Sequence, residues 1–126
     1  DRIKQPLDVQ TSLPAVGQGA LGIENRKGDE TVRELIKPLI DSKTMTEVLA
    51  ERAMNATLEG SCSVAIAAYA TTMGEELLLK GLVGDVESGS ILRAESTGSI
   101  SQPKALGELV ANQLLDIGAG KLLEGV

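Results

Sequence analysis

Apolar residues recur along this chain with two different periods. From Glu47 to Leu58, good helix formers carry Val48, Leu49, Ala53 and Ala56 at helical spacing. Thr44 followed three residues later by Glu47 has the form of a capping box opening that helix, and Gly60 suits a left-handed C-cap at its end. After Pro103 the helical spacing returns at Leu106, Leu109, Val110, Leu114 and Ile117, until Gly118 ends it; a short amphipathic turn then runs from Lys121 to Leu123. Between these helices the period drops to two. Val64 to Thr71 is short, apolar and β-branched at its start, as a buried strand would be. A turn at Met73-Gly74-Glu75 leads to a second strand, with Leu77, Leu79 and Val83 on one face. A further turn over Val86 to Gly89 leads to a third, Ile91 to Thr97, where apolar and charged residues alternate as on a sheet edge. The C-terminal two-thirds thus predicts an α+β unit, three antiparallel strands covered on one face by helices.

The first third reads differently. Asp1 to Thr11 has the look of a helix tail followed by a linker broken at Pro6, and Leu13 to Glu24 is apolar and glycine-rich. Val16, Ala20, Leu21 and Ile23 there favour extended backbone, and the glycines let another group approach closely. Asn25 to Gly28 is a turn. Asp29 to Lys37 predicts a short helix with Val32, Leu35 and Ile36 on one side, closed by Pro38, and Asp41 to Thr44 is a linker.

Composition narrows the function. At 126 residues the chain fits one domain, or one domain with a piece of another. It has no Phe, no Trp and one Tyr, so flat surfaces on which bases could stack are nearly missing. The net charge of −6 also opposes a phosphate backbone, so no nucleic-acid partner is expected. No apolar run approaches the length of a membrane span, and no membrane association is expected. With one Cys no internal disulfide can form, and with no His beside it a zinc site is not expected, nor any other metal.

Four features invite a chemical reading. Gly17-Gln18-Gly19-Ala20-Leu21-Gly22 matches the dinucleotide fingerprint G-x-G-x-x-G, whose mechanism needs a helix beginning inside it so that its N-terminus meets the pyrophosphate. Here the pattern continues into a turn at Gly28, so a glycine-rich strand lining a cleft competes with a nucleotide-binding module. Cys62 lies between a helix end and a strand start. It is either a small buried hydrophobe, as in a non-catalytic interaction domain, or a thiol that reacts once and keeps a thioether. A helix C-terminus disfavours a thiolate and no His can act as base, which excludes a cysteine-protease arrangement within this chain. Glu47 with Glu51, and Asp85 with Glu87, read as surface acids, and Arg26, Arg52 and Arg93 as solvated or ion-paired.

Taken together, Leu13-Pro14-Ala15-Val16-Gly17-Gln18-Gly19-Ala20-Leu21-Gly22-Ile23-Glu24, Ala50-Glu51-Arg52-Ala53-Met54, Leu58-Glu59-Gly60-Ser61-Cys62, Gly81-Leu82-Val83-Gly84 and the closing Leu114-Leu115-x-x-Gly118-Ala119 resemble the porphobilinogen deaminase (hydroxymethylbilane synthase) family, in order and spacing across essentially the whole chain. Where family members often have Cys or Ala, this chain has Asn25. The resemblance implies a transferase of tetrapyrrole and haem biosynthesis, which joins four porphobilinogen units with loss of ammonia and releases hydroxymethylbilane by hydrolysis. It implies that Cys62 anchors the dipyrromethane cofactor through a thioether, with Gln18 and Gly19 beside the cofactor cleft. It also implies the organisation of the chain: residues 1–13 end a second domain, residues 14–40 are the closing strand and helix of a doubly wound α/β first domain, and residues 41–126 are the C-terminal cofactor-carrying domain. The family's catalytic aspartate, and most arginines that hold the substrate carboxylates, belong to the N-terminal part. No catalytic residue is therefore expected in this segment, and the chain alone is expected to be inactive. Its partners would be porphobilinogen and the rest of the enzyme, supplied as another chain, in the cytoplasm, or in the plastid stroma of a plant. Without the first domain's sheet, Val16, Leu21 and Ile23 are expected to be exposed.

Overall fold

The computed structural model describes residues 2–58 and 64–124. Its order is helix α1 (Glu30–Ile36), a 3-10 turn (Lys37–Leu39), helix α2 (Ser42–Thr57), strands β1 (Ala65–Met73), β2 (Glu76–Gly84) and β3 (Ile91–Ser99), and helices α3 (Pro103–Asp116) and α4 (Ala119–Glu124). The sheet is antiparallel in the order β1-β2-β3, so β2 is central and β3 takes the edge its alternating sequence predicts. Two connections set the register, one tight and one longer. Gly74, at φ +60°, sits in the two-residue turn between β1 and β2, a loop that demands left-handed backbone. The longer loop to β3 is organised by Asp85, whose carboxylate accepts from the backbone amides of Glu87 and Ser88.

Register then decides which side chains face inward. Ile66 pairs with Val83, Ala68 with Gly81, Ala70 with Leu79 and Thr72 with Leu77, and the same four β2 positions meet Leu92, Ala94, Ser96 and Gly98 on β3. Leu77, Leu79 and Val83 are fully buried on that face, as their alternation predicts. Helix α2 covers β1, while α3 covers β3 and β2. The two helices also pack against each other, and small residues make this possible. A Cβ on Gly81 would stand 2.5 Å from the Met54 sulfur, and one on Gly107 would meet the Ala50 carbonyl and, at 2.6 Å, the Ala53 methyl. Met54, Val110 and Leu114 fill the space between sheet and helices. Burying an aliphatic side chain of this size stabilises by about 1.5–3 kcal/mol, enough for a core built without large aromatics.

The helices depart from the sequence reading in detail. Helix α2 begins earlier than a capping box at Thr44 would have it: Asp41 is the N-cap, its carboxylate accepting from the Thr44 amide. Its buried face runs through Ala50, Glu51, Met54 and Leu58, not through Val48, Leu49, Ala53 and Ala56. On α3, Leu106, Val110 and Leu114 are buried as expected, whereas Leu109 and Ile117 are largely exposed and Gly107 and Ala111 take their place. Gly118 does end that helix, at φ +109°. The proposed Gly60 cap lies outside the described residues.

Residues 2–12 carry no helix, and residues 13–24 form no strand, with a turn over residues 16–19 that holds Gly17 and Gly19 at positive φ. An extended segment needs a neighbouring strand to share its hydrogen bonds, and among the described residues no strand pairs with this stretch. The short helix expected over Asp29 to Lys37 does form, as α1, capped by Asp29 accepting from the Val32 amide. Leu21 and Ile23 are exposed as expected, but Val16 is half-buried and packs against the core of the C-terminal unit.

Candidate functional site

The turn holding Gly17, Gln18 and Gly19 is seated on the open edge of β1. Its backbone closes on itself: the Gln18 amide donates to the Ala15 carbonyl at 3.0 Å, and the Gln18 side-chain oxygen accepts from the Ala15 amide at 3.0 Å. Two hydrogen bonds and one packed side chain then join it to the C-terminal unit. The Ala68 amide donates to the Pro14 carbonyl at 3.1 Å, the Gly17 amide donates to Glu51 Oε2 at 2.7 Å, and Val16 lies on the core.

Glu51 is the residue that sequence reasoning misplaced. It was expected on the surface, yet it is 6% exposed, and among the described residues it is the one buried charged side chain. While Oε2 takes the Gly17 amide, Oε1 accepts from the Ala70 amide of β1 at 2.9 Å. One turn earlier on α2, Glu47 Oε1 accepts from the Thr72 amide at 2.8 Å and from the Thr72 hydroxyl at 3.0 Å, and pairs with Lys43 at 2.8 Å. The amides of residues 68, 70 and 72 alternate along one strand edge. A carbonyl and two carboxylates occupy them where a fourth strand would otherwise pair. The signal was present in the sequence: Glu51 falls between Ala50 and Met54 on the helical face that also carries Leu58.

Electrostatics separates the two acids. Burial pushes the Glu51 carboxyl above its ordinary value, and the Gly17 and Ala70 amides offset this only in part, with the nearby Glu47 charge adding to the rise. Burial also acts against the Glu47 carboxylate. There the Lys43 ammonium and the Thr72 amide and hydroxyl prevail, and its pKa lies below the ordinary value.

Of the other candidates, Gly19 and Arg52 line one cleft and the rest are dispersed. Cys62 lies outside the described residues, in the segment that joins the end of α2 to the start of β1. Gln18 and Gly19 are exposed on the seated turn. Arg26, Arg52 and Arg93 are exposed, and Arg52 lines a cleft of about 840 Å³ shared with Leu21, Ile36, Ile40 and Met45. Asp85 serves its own loop. No helix starts near Ala20, the next beginning at Glu30, so the glycine fingerprint lacks the helix N-terminus that pyrophosphate binding requires. Among the described residues no cluster of three or more His, Cys, Asp or Glu could hold a metal, and no helix is long and apolar enough to cross a membrane.

Comparison with known proteins agrees along the length of the chain. Residues 1–34 match the family model described as porphobilinogen deaminase, dipyromethane cofactor binding domain, and residues 45–116 match porphobilinogen deaminase, C-terminal domain. A protein of Ruthia magnifica subsp. Calyptogena magnifica named porphobilinogen deaminase is 52% identical over 123 residues, covering 98% of this chain and 40% of the relative. One of the same name from Vesicomyosocius okutanii subsp. Calyptogena okutanii (strain HA) is 48% identical over 124 residues, covering 98% of this chain and 41% of the relative. The chain thus spans about two-fifths of the length of the curated relatives it matches. With an α+β core under a C-terminal-domain match, and a glycine turn seated on it from within the cofactor-domain match, the chain belongs to the porphobilinogen deaminase family.

Proposed function

We propose that this chain is the part of a hydroxymethylbilane synthase that holds the dipyrromethane cofactor, with Cys62 as its covalent anchor and the Gln18-Gly19 turn as a wall of the cofactor cleft. In this reading residues 1–13 end the second domain, residues 14–40 close the first, and residues 41–126 form the C-terminal domain. The whole protein polymerises four porphobilinogen units with release of ammonia. The observation that carries the proposal is the pair of family matches in chain order, with the chain's one thiol between α2 and β1.

The residues suit such a group. A thioether needs one sulfur and no partner base once formed, and Cys62 is the one thiol in a chain without His. At Gly17 and Gly19 nothing lies within 4 Å of where a Cβ would stand, which leaves open space beside Gln18 for a bulky ligand. When bound, the dipyrromethane supplies the pyrrole carbon on which the chain of porphobilinogen units is built. The Cys62 sulfur would hold it in place, and the turn at residues 15–18, closed on itself by Gln18 and Ala15, would form the cleft wall. The carboxylates of such a ligand need cations, and a chain of net charge −6 leaves most of these to the rest of the enzyme. The segment alone is accordingly inactive, and substrate binds only when the N-terminal domains are present. A cytoplasmic location, or the plastid stroma in a plant, fits this reading.

Intact-mass measurement of the full-length enzyme tests the anchor. A dipyrrole-sized adduct that localises to the Cys62 peptide and is lost in Cys62→Ala is the expected result. An adduct that persists in Cys62→Ala, or its absence from an active wild-type enzyme, would refute the assignment.

A further inference from the structure

The buried carboxylate of Glu51 has no part in the chemistry just described, yet it is the charged group on which three segments meet. Its own helix α2 ends at Thr57, where the segment leading to Cys62 begins. Its Oε1 holds β1 at Ala70, on the strand that this segment enters. Its Oε2 holds the Gly17 amide of the glycine turn. That turn belongs to no strand, so its seat depends on a few contacts: the Pro14 carbonyl, the Val16 side chain and Glu51. Of these, the Glu51 bond is the charge-assisted one and the shortest, at 2.7 Å against 3.1 Å for Ala68 to Pro14. Both carboxylate oxygens are engaged by backbone amides, which leaves the side chain little freedom to release one without stranding a donor.

We propose that Glu51 is a positioning residue: it fixes the Gly17-Gln18-Gly19 turn against β1, and so holds the cleft wall in the place the reaction needs. The inference rests on the cofactor reading given above. Glu47 makes a matched comparison, since it holds the same strand edge at Thr72 but has no bond to the turn.

The test uses the full-length holoenzyme as wild type, Glu51→Gln, Glu47→Gln and Gly17→Ala. Gln is isosteric with Glu but turns one acceptor oxygen into a donor, so it can satisfy either the Ala70 amide or the Gly17 amide but not both. Gly17→Ala attacks the same link from the other end. It has room for the methyl but must hold it at φ +70°, which L-residues resist. The expected result for Glu51→Gln is loss of hydrogen-exchange protection at the Gly17 amide, a retained dipyrrole mass on Cys62, and kcat/KM lowered about tenfold or more. Gly17→Ala lowers kcat/KM comparably, and the double variant falls no further than the worse single one. Glu47→Gln stays within about twofold of wild type, whatever its loss of stability.

Wild-type kcat/KM in Glu51→Gln despite a deprotected Gly17 overturns the inference, as does an equal loss in Glu47→Gln. Should Glu51→Gln fail to fold, Gly17→Ala decides alone, and full activity with a released turn overturns it. A wild-type enzyme without the Cys62 adduct instead overturns the cofactor reading, and this inference with it.

Discussion

Glu47 and Glu51 stand one helical turn apart on α2 and accept from the amides of Thr72 and Ala70, two residues apart on β1. The spacings agree because four helical residues rise about 6 Å and two strand residues about 6.6 Å, so two side chains leave the helix in step with alternate amides of the strand. The helix runs from 47 to 51 while its partners run from 72 to 70, so α2 lies antiparallel to β1. An exposed row of strand amides invites pairing with another chain, and here carboxylates close it. Each acid therefore contributes in proportion to the burial of its acceptor bonds. Glu51→Ala strands the buried Ala70 amide and should cost about 1–3 kcal/mol, whereas Glu47→Ala, whose side chain is nearer solvent, should cost about 1 kcal/mol or less. Urea denaturation midpoints of the two variants would show this order, and an equal or reversed order would contradict it.

The pH dependence of stability should carry two opposite signatures. The Glu51 carboxyl is raised from its ordinary 4.5 by burial. Its contribution is thus fully present below 4.5 and is lost as pH rises through the elevated folded value. The Asp41 carboxyl is lowered from 3.8, chiefly by the Thr44 amide it caps, and the Glu47 carboxyl is lowered from 4.5. Their contributions are present above those ordinary values and are lost as pH falls through the depressed ones. Relative to wild type, Glu51→Gln should gain stability as pH rises from 4.5, and Asp41→Asn should flatten the loss of stability on acidification below 3.8. Thermal unfolding of each across that range is the measurement, and parallel curves for wild type and Glu51→Gln would contradict the first.

How much of this was legible beforehand depended on whether a signal was local. The alternation at Leu77, Leu79 and Val83, and the charged outward residues of β3, report burial directly, and the sheet followed them. The glycine at 118 stopped α3 because a left-handed cap is a one-residue property. Helix α2 was harder. A carboxylate at a core position interrupts the apolar count, so the face was drawn through Val48 and Ala56, when Ala50, Met54 and Leu58 carry it around Glu51. Glu51 is buried because of a turn far away in the chain, and no window of the sequence contains both. The stretch from Leu13 to Glu24 has strand composition, but a strand exists only beside another. The segment with Cys62 was read from family resemblance, and its neighbourhood lies outside the described residues.

Hairpin geometry offers a contained test. Gly74 stands at φ +60° with open space around its Cβ position, so Gly74→Ala meets no neighbour and suffers from backbone conformation alone. The expected cost is about 1–2 kcal/mol. Gly74→Asn should recover part of it, since Asn tolerates left-handed backbone better than Ala. Denaturation midpoints in the order Gly, Asn, Ala would confirm that conformation and not packing governs the site, and a neutral Gly74→Ala would refute it.

Gly107 presents the reverse case, in which space decides. It lies within the right-handed helix α3, so its backbone would welcome Ala, and helix propensity alone predicts a gain of about 1 kcal/mol. Packing opposes this. A methyl group there would run into the Ala50 carbonyl and stand 2.6 Å from the Ala53 methyl and 2.8 Å from the Met54 amide nitrogen. These are backbone and short side-chain atoms that cannot swing aside, so α2 and α3 must separate, loosening Met54 and Val110 where they meet over Gly81. Overpacking of this kind costs about 1–3 kcal/mol or more, which exceeds the propensity gain. Gly107→Ala should therefore lower the unfolding temperature, and Gly107→Val should lower it further. The compensating change is Ala53→Gly, which removes one of the obstructing methyls, and the double variant should recover part of the loss. Thermal unfolding of the three variants would measure this, and a stabilised Gly107→Ala would show that the helices do not approach as closely as described.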